Sequence, residues 1–395
     1  MVRRHRCKRK GGDGRPSATA LYVHVPFCLA KCAYCDFYSV PAGQADMAAY
    51  VEAAIAELQA GAGELHVPLA SIFVGGGTPT VLGAELLRRL LAAARAYASG
   101  GTEFSVEANP CTIDESVVEV LAESGVNRAS LGVQSFQESE LAVLGRLHTP
   151  DQALRAFALL RSAGVNNISM DLIYGIPGQG LASWRRSLEQ ALELGVEHLS
   201  CYGLSVEPGT PLRSKVQAGE FQELDDDLQK DCYFAAIDMA RRAGLEHYEI
   251  SNFARPGRRC RHNLTYWQNE PYLGIGPAAA SYIAGVRRTN LPDLTVYVQA
   301  VRAGLPPPSR SEKLGGKAAM GEALMLALRL REGVDRQAFA RRYGQDIAEA
   351  FPQTLARYSR LGALEIDANR VRLAEGALFA ADTVLADFLA EASIR

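Results

Sequence analysis

The sequence predicts an α/β protein organised around one parallel sheet, with a small helical and winged unit at its carboxyl end. Three observations predict it. Short β-rich runs alternate with helical patterns between Leu21 and about Val206, glycine and polar signals gather at the ends of those runs, and Leu305-Pro-Pro-Pro308 separates a last segment with a different pattern. With 395 residues, 42.6 kDa and 48% hydrophobic residues, the chain is long enough for one large domain plus something smaller.

At the amino terminus, residues 1–19 carry Arg3, Arg4, Arg6, Lys8, Arg9 and Lys10 among glycine and serine. They lack the apolar segment of a secretory signal, so they read as a disordered basic tail on a cytoplasmic protein. The scarcity of acidic residues there leaves a transit peptide as the alternative. A formal charge of -2 gives no whole-chain reason to expect nucleic acid as a partner, and no apolar run reaches the length of a membrane span. Eight cysteines, three of them crowded in one loop as thiols, agree with a reducing compartment.

The first strand is expected at Leu21 to Val25, and the loop after it holds Cys28, Cys32 and Cys35. Spacings of four and then three residues let one loop gather three sulfurs, which suits zinc or an iron-sulfur cluster. Structural zinc requires four closed ligands, and no second Cys or Cys/His pair at zinc spacing lies nearby. A cubane held by three cysteines would leave one iron open, which is where a metal does chemistry. Three unligated core cysteines is the third reading.

This loop resembles the Cys-x3-Cys-x2-Cys loop of the radical S-adenosylmethionine (SAM) proteins, in which SAM chelates the open iron of a 4Fe-4S cluster. The flanking Tyr22-x-His24-x-Pro26-Phe27 and Asp36-Phe37 are similar to the HemN/HemW branch, which contains oxygen-independent coproporphyrinogen III oxidases and haem chaperones. The resemblance implies a partial (βα)6 barrel, with Cys28, Cys32 and Cys35 as cluster ligands and Tyr22 and Tyr34 beside SAM.

Later strands are expected at Ser71 to Val74, Glu103 to Glu107, Ala129 to Val133, Ile168 to Tyr174 and Leu199 to Val206. Helical patterns between them cover Met47 to Leu58, Glu85 to Tyr97, Glu115 to Glu123, Asp151 to Ser162 and Leu181 to Leu194. Such units form parallel sheets with right-handed crossovers, and ligands gather at the carboxyl ends of the strands. After the second strand comes Gly75-Gly-Gly-Thr-Pro-Thr80, which allows close backbone approach to a charged ligand or simply makes a turn. Glu107, Gln134 and Asp171 end the next strands, and burying them without a polar partner would be expensive. Each alone also fits a loop hydrogen bond or helix cap. The resemblance implies that Gly76, Gly77, Thr78, Glu107, Gln134, Arg146, Asp171 and Gly203 line SAM sites.

Oxidases of this branch carry a further cysteine two residues beyond the third ligand, where this chain and the haem chaperones have Phe37. Beyond a helix at Asp225 to Ala243, His262-Asn-Leu-Thr-Tyr-Trp267 resembles the signature of the haem chaperones. Imidazole is the usual axial ligand of haem iron, so His262 is the candidate haem ligand, against the reading of a satisfied loop histidine. Where related chains have Gly-Ala-His-Ser, this one has Ala278-Ala-Ala-Ser281, so Ala280 replaces a histidine.

From Ser311 the pattern changes to helices at Lys317 to Leu330, Asp335 to Arg342 and Ile347 to Leu361, a hairpin at Leu364 to Leu373 and a helix near Thr383 to Ala392. This is winged-helix-like, but its bases are balanced by acids, which favours a cap or partner surface over DNA. The expected division is a tail (1–19), a barrel (20–250), a covering segment with the His-Asn motif (251–310) and a small C-terminal domain (311–395). The resemblance implies a chaperone that binds a 4Fe-4S cluster, SAM and haem, and passes haem to an acceptor such as a membrane respiratory protein, with an electron donor if SAM is cleaved. A coproporphyrinogen oxidase and a protein with a purely structural or sensory cluster are the alternatives.

Overall fold

The computed structural model describes residues 17–393, so Cys7 and the basic residues of the tail lie outside the described residues. Ala18, expected in the tail, is buried and its N-H donates to the Glu64 carbonyl at 2.8 Å.

Six parallel strands form the centre of the sheet: β1 (Ala20–Val25), β2 (Ser71–Gly76), β3 (Glu103–Ala108), β4 (Arg128–Gln134), β5 (Ile168–Tyr174) and β6 (His198–Gly203). Each pairs with the next in chain order, for example Ala20 with Ser71 and Tyr174 with Gly203. Crossover helices α1 (Met47–Ala60), α2 (Gly83–Arg95), α3 (Glu115–Glu123), α4 (Glu138–Leu144), α5 (Pro150–Ser162) and α6 (Leu181–Glu193) connect them. Their starts are legible: the Asp46 and Asp114 side chains accept from Ala49 and Val117 N-H, and Thr149 and Gln152 cap α5 reciprocally. Every strand has an inner and an outer face. In β4, Ala129, Leu131 and Val133 enter the apolar core while Arg128, Ser130, Gly132 and Gln134 face the interior of the curved sheet. Burying each large aliphatic side chain contributes about 1.5–3 kcal/mol, so a one-residue slip that exchanged the faces would be prohibitive.

The sheet stays open and is mixed, with twelve strands. At one edge β6 is followed by an antiparallel pair, β7 (Glu246–Glu249) and β8 (Asn252–Ala254), which comes after α7 (Pro211–Gln217) and α8 (Asp226–Arg242). At the other edge β9 (Tyr272–Ile275), which follows α9 (Arg261–Trp267), runs parallel to β1. Three antiparallel strands, β10 (Ala280–Ile283), β11 (Val286–Asn290) and β12 (Ser309–Lys313), continue from it, with α10 (Leu294–Arg302) before the last. The segment 251–310, expected as a cover, thus extends the sheet, and β12 straddles the expected boundary at 310.

The strand expected to reach Val206 stops at Gly203, because its partner β5 ends at Tyr174 where Gly175 turns with φ 84°. The C-terminal unit holds α11 (Gly316–Ala327), β13 (Val334–Asp335), α12 (Arg336–Tyr343), α13 (Ile347–Ala350), α14 (Pro352–Arg360), β14 (Leu364–Ile366), β15 (Arg370–Leu373) and α15 (Ala381–Ser393). The single helix expected over Ile347 to Leu361 breaks at Phe351, since Pro352 offers no N-H and pushes the preceding residue out of helical geometry, here to φ -132° and ψ 56°. The three-stranded wing β13-β15-β14 matches the winged expectation. Arg336 pairs with Asp346, Arg357 with Asp387 and Arg372 with Glu365. The unit is welded to the sheet by an apolar cluster continuous from Ala18 to Phe388, and Arg331 N-H donates to the Tyr248 carbonyl at 3.0 Å.

Candidate cofactor site

At the carboxyl ends of β2 to β6 lies a cavity of about 610 Å³. Cys28, Cys32, Tyr34, Cys35, Gly76, Gly77, Thr78, Glu107, Gln134, Arg146, Asp171 and Gly203 all line it. Parallel pairing brings them together, because each strand delivers its last inward residues to the same rim.

The cysteine loop is held by its backbone. Ala33 N-H donates to the Leu144 carbonyl at 2.9 Å and the Ala33 carbonyl accepts from Leu212 N-H at 2.8 Å. Thr78 Oγ1 donates to Cys28 Sγ at 3.8 Å and Arg146 Nη1 to Cys32 Sγ at 3.4 Å. Burial pushes the Cys28 and Cys35 thiols up, so a metal would be needed to keep them as thiolates. Among the described residues no three histidine, cysteine or carboxylate side chains are grouped to hold one metal ion. Structural zinc takes four closed ligands, and no histidine or fourth cysteine stands among the cavity residues beside this trio. A cubane takes each cysteine at a separate iron, and the residues fit that group.

Gly76 has φ 114°, and a Cβ there would come 2.7 Å from the His24 ring. Its N-H donates to Glu107 Oε2 at 3.0 Å. Burial, against the pull of that N-H, pushes the Glu107 carboxyl up to about 7. Asp171 accepts from Ser130 Oγ at 3.0 Å and from Ser169 Oγ at 3.1 Å. Gln134 sits at φ 68°, where β4 slips its pairing with β5. A non-glycine residue in that region is strained, and here the strain aims an amide into the cavity. These groups could bind an ammonium and hydroxyls, with the thiolates beside them.

Two expected residues lie elsewhere. Tyr22 faces a second cavity of about 470 Å³, which shares Phe37, Gly76 and Glu107 with the first. Its hydroxyl is 3.0 Å from His24 Nδ1. His262, expected as the haem ligand, lines neither cavity and is 1% exposed. Its Nδ1 lies 3.0 Å from Ser71 Oγ, its Nε2 2.8 Å from Tyr266 OH, and its ring stacks on Phe73 at 5.1 Å. Burial, with Arg128 adding to it, lowers its pKa to about 3. With a hydroxyl within hydrogen-bond distance of each ring nitrogen, it braces β2 against α9. Its motif neighbours are the ones that face ligand space: Asn263 lines the first cavity, Tyr266 and Trp267 the second.

The second cavity is walled by Tyr22, Phe37, Tyr38, Tyr266, Trp267 and Tyr272, with Arg287 of β11 and Leu326 of the C-terminal unit's α11. Trp267 Nε1 is buried with no hydrogen-bond partner, and Arg329 lies 4.9 Å over its ring. Sequence reasoning missed Arg128, buried at the floor of the first cavity with Nε and Nη1 unpartnered. The signal was a charge sharing the inward parity of Ser130 and Gln134.

Residues 22–191 match the family description "Radical SAM superfamily", and residues 315–379 match "HemN C-terminal domain". A protein of Lactococcus lactis named heme chaperone HemW is 38% identical, over 85% of this chain and 89% of its own. The protein of that name from Bacillus subtilis is 34% identical, over 94% of this chain and 99% of its own. Among solved structures, coproporphyrinogen III oxidase (HemN) from Escherichia coli is similar, with a TM-score of 0.81 at 22% identity, covering 94% of this chain and 90% of that one. That likeness bears on the fold alone. No helix among the described residues is long and apolar enough to cross a membrane. Identity of 34% to 38% to these relatives over most of the chain, with both domains matched and the three thiols on one cavity, establishes that the chain belongs to the HemW family of the radical SAM superfamily.

Proposed function

We propose that this chain is a haem chaperone that carries a SAM-ligated 4Fe-4S cluster in its first cavity and haem in its second, and hands the haem to an acceptor protein. The observation that carries the reading is the pair of abutting cavities: a polar one with three thiols, and an aromatic one bounded by Tyr266 and Trp267 of the family's signature. Flat aromatic walls suit a flat macrocycle, and the unpaired Trp267 Nε1-H offers a donor to it. Arg287 would meet a propionate.

In the first cavity Cys28, Cys32 and Cys35 would hold the cluster. The Glu107 carboxylate would receive the ammonium of SAM, and Asp171 and Gln134 its hydroxyl-bearing end. When bound and reduced, the cluster supplies the electron that cleaves SAM in this superfamily. The chain's own contribution is to orient the sulfonium and to exclude water from it. An electron donor is then a required partner, as is a haem acceptor.

The oxidase reading finds no support at the place where it would show. Phe37, which stands where the oxidases have a cysteine, is 67% exposed at the rim of both cavities. An anaerobically reconstituted sample given SAM, dithionite and haem tests the proposal. The expected result is a stable Soret band whose haem is transferred to an apo-acceptor, with no decarboxylation of coproporphyrinogen. Turnover of that substrate overturns the proposal.

A further inference from the structure

We propose that the floor of the first cavity is a carboxylate-binding subsite, with Arg128 as its cation and Ser105 as its second donor, serving a ligand other than SAM. The inference goes beyond the reading above, because Arg128 opens β4 whereas Gln134, among the residues assigned to SAM, closes it. Register brings the pair together. Ser105 of β3 stands directly opposite Arg128 of β4. Ser105 shares the inward face of Glu107, since Phe104 and Val106 between them enter the apolar core. Both members of the pair are unsatisfied. Arg128 lines the cavity at 2% exposed with Nε and Nη1 lacking any hydrogen-bond partner, and the fully buried Ser105 Oγ lacks one too. Buried polar groups are rarely left open, so three such atoms on adjacent residues mark a place where something else binds.

The nearby carboxylates give the guanidinium opposite charge but leave those bonds unmade. Glu103 accepts Arg261 N-H at 2.9 Å and His262 N-H at 3.2 Å, which ties it to the start of α9. Asp171 accepts the hydroxyls of Ser130 and Ser169. The histidines on either side, His198 and His262, are held neutral by burial and by the guanidinium itself. Arginine offers donors only and keeps its charge, so the ligand must bring acceptor oxygens. Two oxygens on one carbon match the planar fork in a bidentate pair. A dianion such as phosphate is disfavoured, because Glu103, Glu107 and Asp171 already put negative charge around a single cation. The ligand group is therefore a monoanionic carboxylate, and it has two sources: a propionate of haem, or a free small carboxylate.

The test uses the full chain as wild type, Arg128→Met and Ser105→Ala. Acetate is titrated by calorimetry into haem-free protein, and haem is then compared with its dimethyl ester, which keeps the macrocycle and removes both charges. Acetate is expected to bind Arg128→Met about tenfold more weakly than wild type, and Ser105→Ala about threefold more weakly. A preference for haem over its ester that Arg128→Met reduces about tenfold identifies the propionate as the source. The same preference in both proteins, with the acetate difference present, identifies a free carboxylate. If the wild type binds no acetate and Arg128→Met leaves the haem preference unchanged, the site holds water only and the proposal is overturned. A tenfold loss of SAM affinity in Arg128→Met also overturns it, because the subsite would then belong to SAM. If Arg128→Met does not fold, Ser105→Ala decides, and acetate affinity unchanged there overturns it. The acetate measurement needs neither cluster nor haem, so its failure is distinct from a failure of the cofactor reading.

Discussion

Replacing His262 with phenylalanine separates a structural histidine from a haem ligand. The new ring keeps the stacking on Phe73 but removes both polar contacts, leaving Ser71 Oγ, fully buried, and Tyr266 OH without their partner. The buried Ser71 Oγ left unsatisfied costs about 1–3 kcal/mol and Tyr266 OH, which opens on the second cavity, costs less, so the variant should lose about 1–4 kcal/mol of stability. Urea denaturation monitored by far-UV circular dichroism measures this as a lower midpoint at unchanged slope. Acid adds a signature. The imidazole falls from its ordinary 6.5 to about 3 in the folded state, so the unfolded chain binds the proton first. Stability from this group is present above about 6.5 and is lost as pH falls towards about 3, at about 1.4 kcal/mol per pH unit. The phenylalanine variant should lack that part of the acid sensitivity. Haem affinity should change by less than about tenfold, with the Soret and visible bands of the iron retained. Stability unchanged together with loss of the axial-ligand spectrum would refute the assignment.

Glu107 makes SAM affinity depend on pH: with its carboxyl at about 7, binding of the ammonium should strengthen as pH rises through that value, and calorimetry on Glu107→Gln should show a weak, flat profile. Gly76→Val forces a branched side chain into φ 114° against the His24 ring, so SAM binding should be abolished and the thermal midpoint lowered. Glu57 receives Gly276 N-H at 2.8 Å, Asn290 Nδ2 at 2.9 Å and Tyr297 OH at 2.6 Å, which ties α1 to the loop after β9, to β11 and to α10. Glu57→Ala should therefore cost about 2–5 kcal/mol in urea titrations, and weaken haem binding by loosening the wall at Ala278 and Ala280.

The strand-helix alternation and the cysteine loop were legible because period-2 and period-3.6 patterns and a four-and-three spacing are local properties. Ile168 to Tyr174 and Glu115 to Glu123 were bounded as observed for that reason. The breaks at Gly203 and Phe351 were harder. One depends on where a neighbouring strand ends, and the other on the weight given to a single proline in an otherwise helical run. The short edge strands β7, β8 and β10 to β12 carry no strong pattern of their own and exist through pairing.

His262 shows the limit most clearly. Its motif neighbours Asn263, Tyr266 and Trp267 line the two cavities, but the histidine itself faces Ser71, a residue 191 positions away in sequence. Arg146 is the converse case, since nothing local says that its guanidinium meets Cys32 across 114 positions. The sequence by itself determined the fold class, the thiol trio and the strand-end residues, because spacing and alternation are written along the chain. Only the tertiary structure decided which of those side chains share a cavity and which brace the wall behind it, because that depends on contacts between segments far apart in the chain.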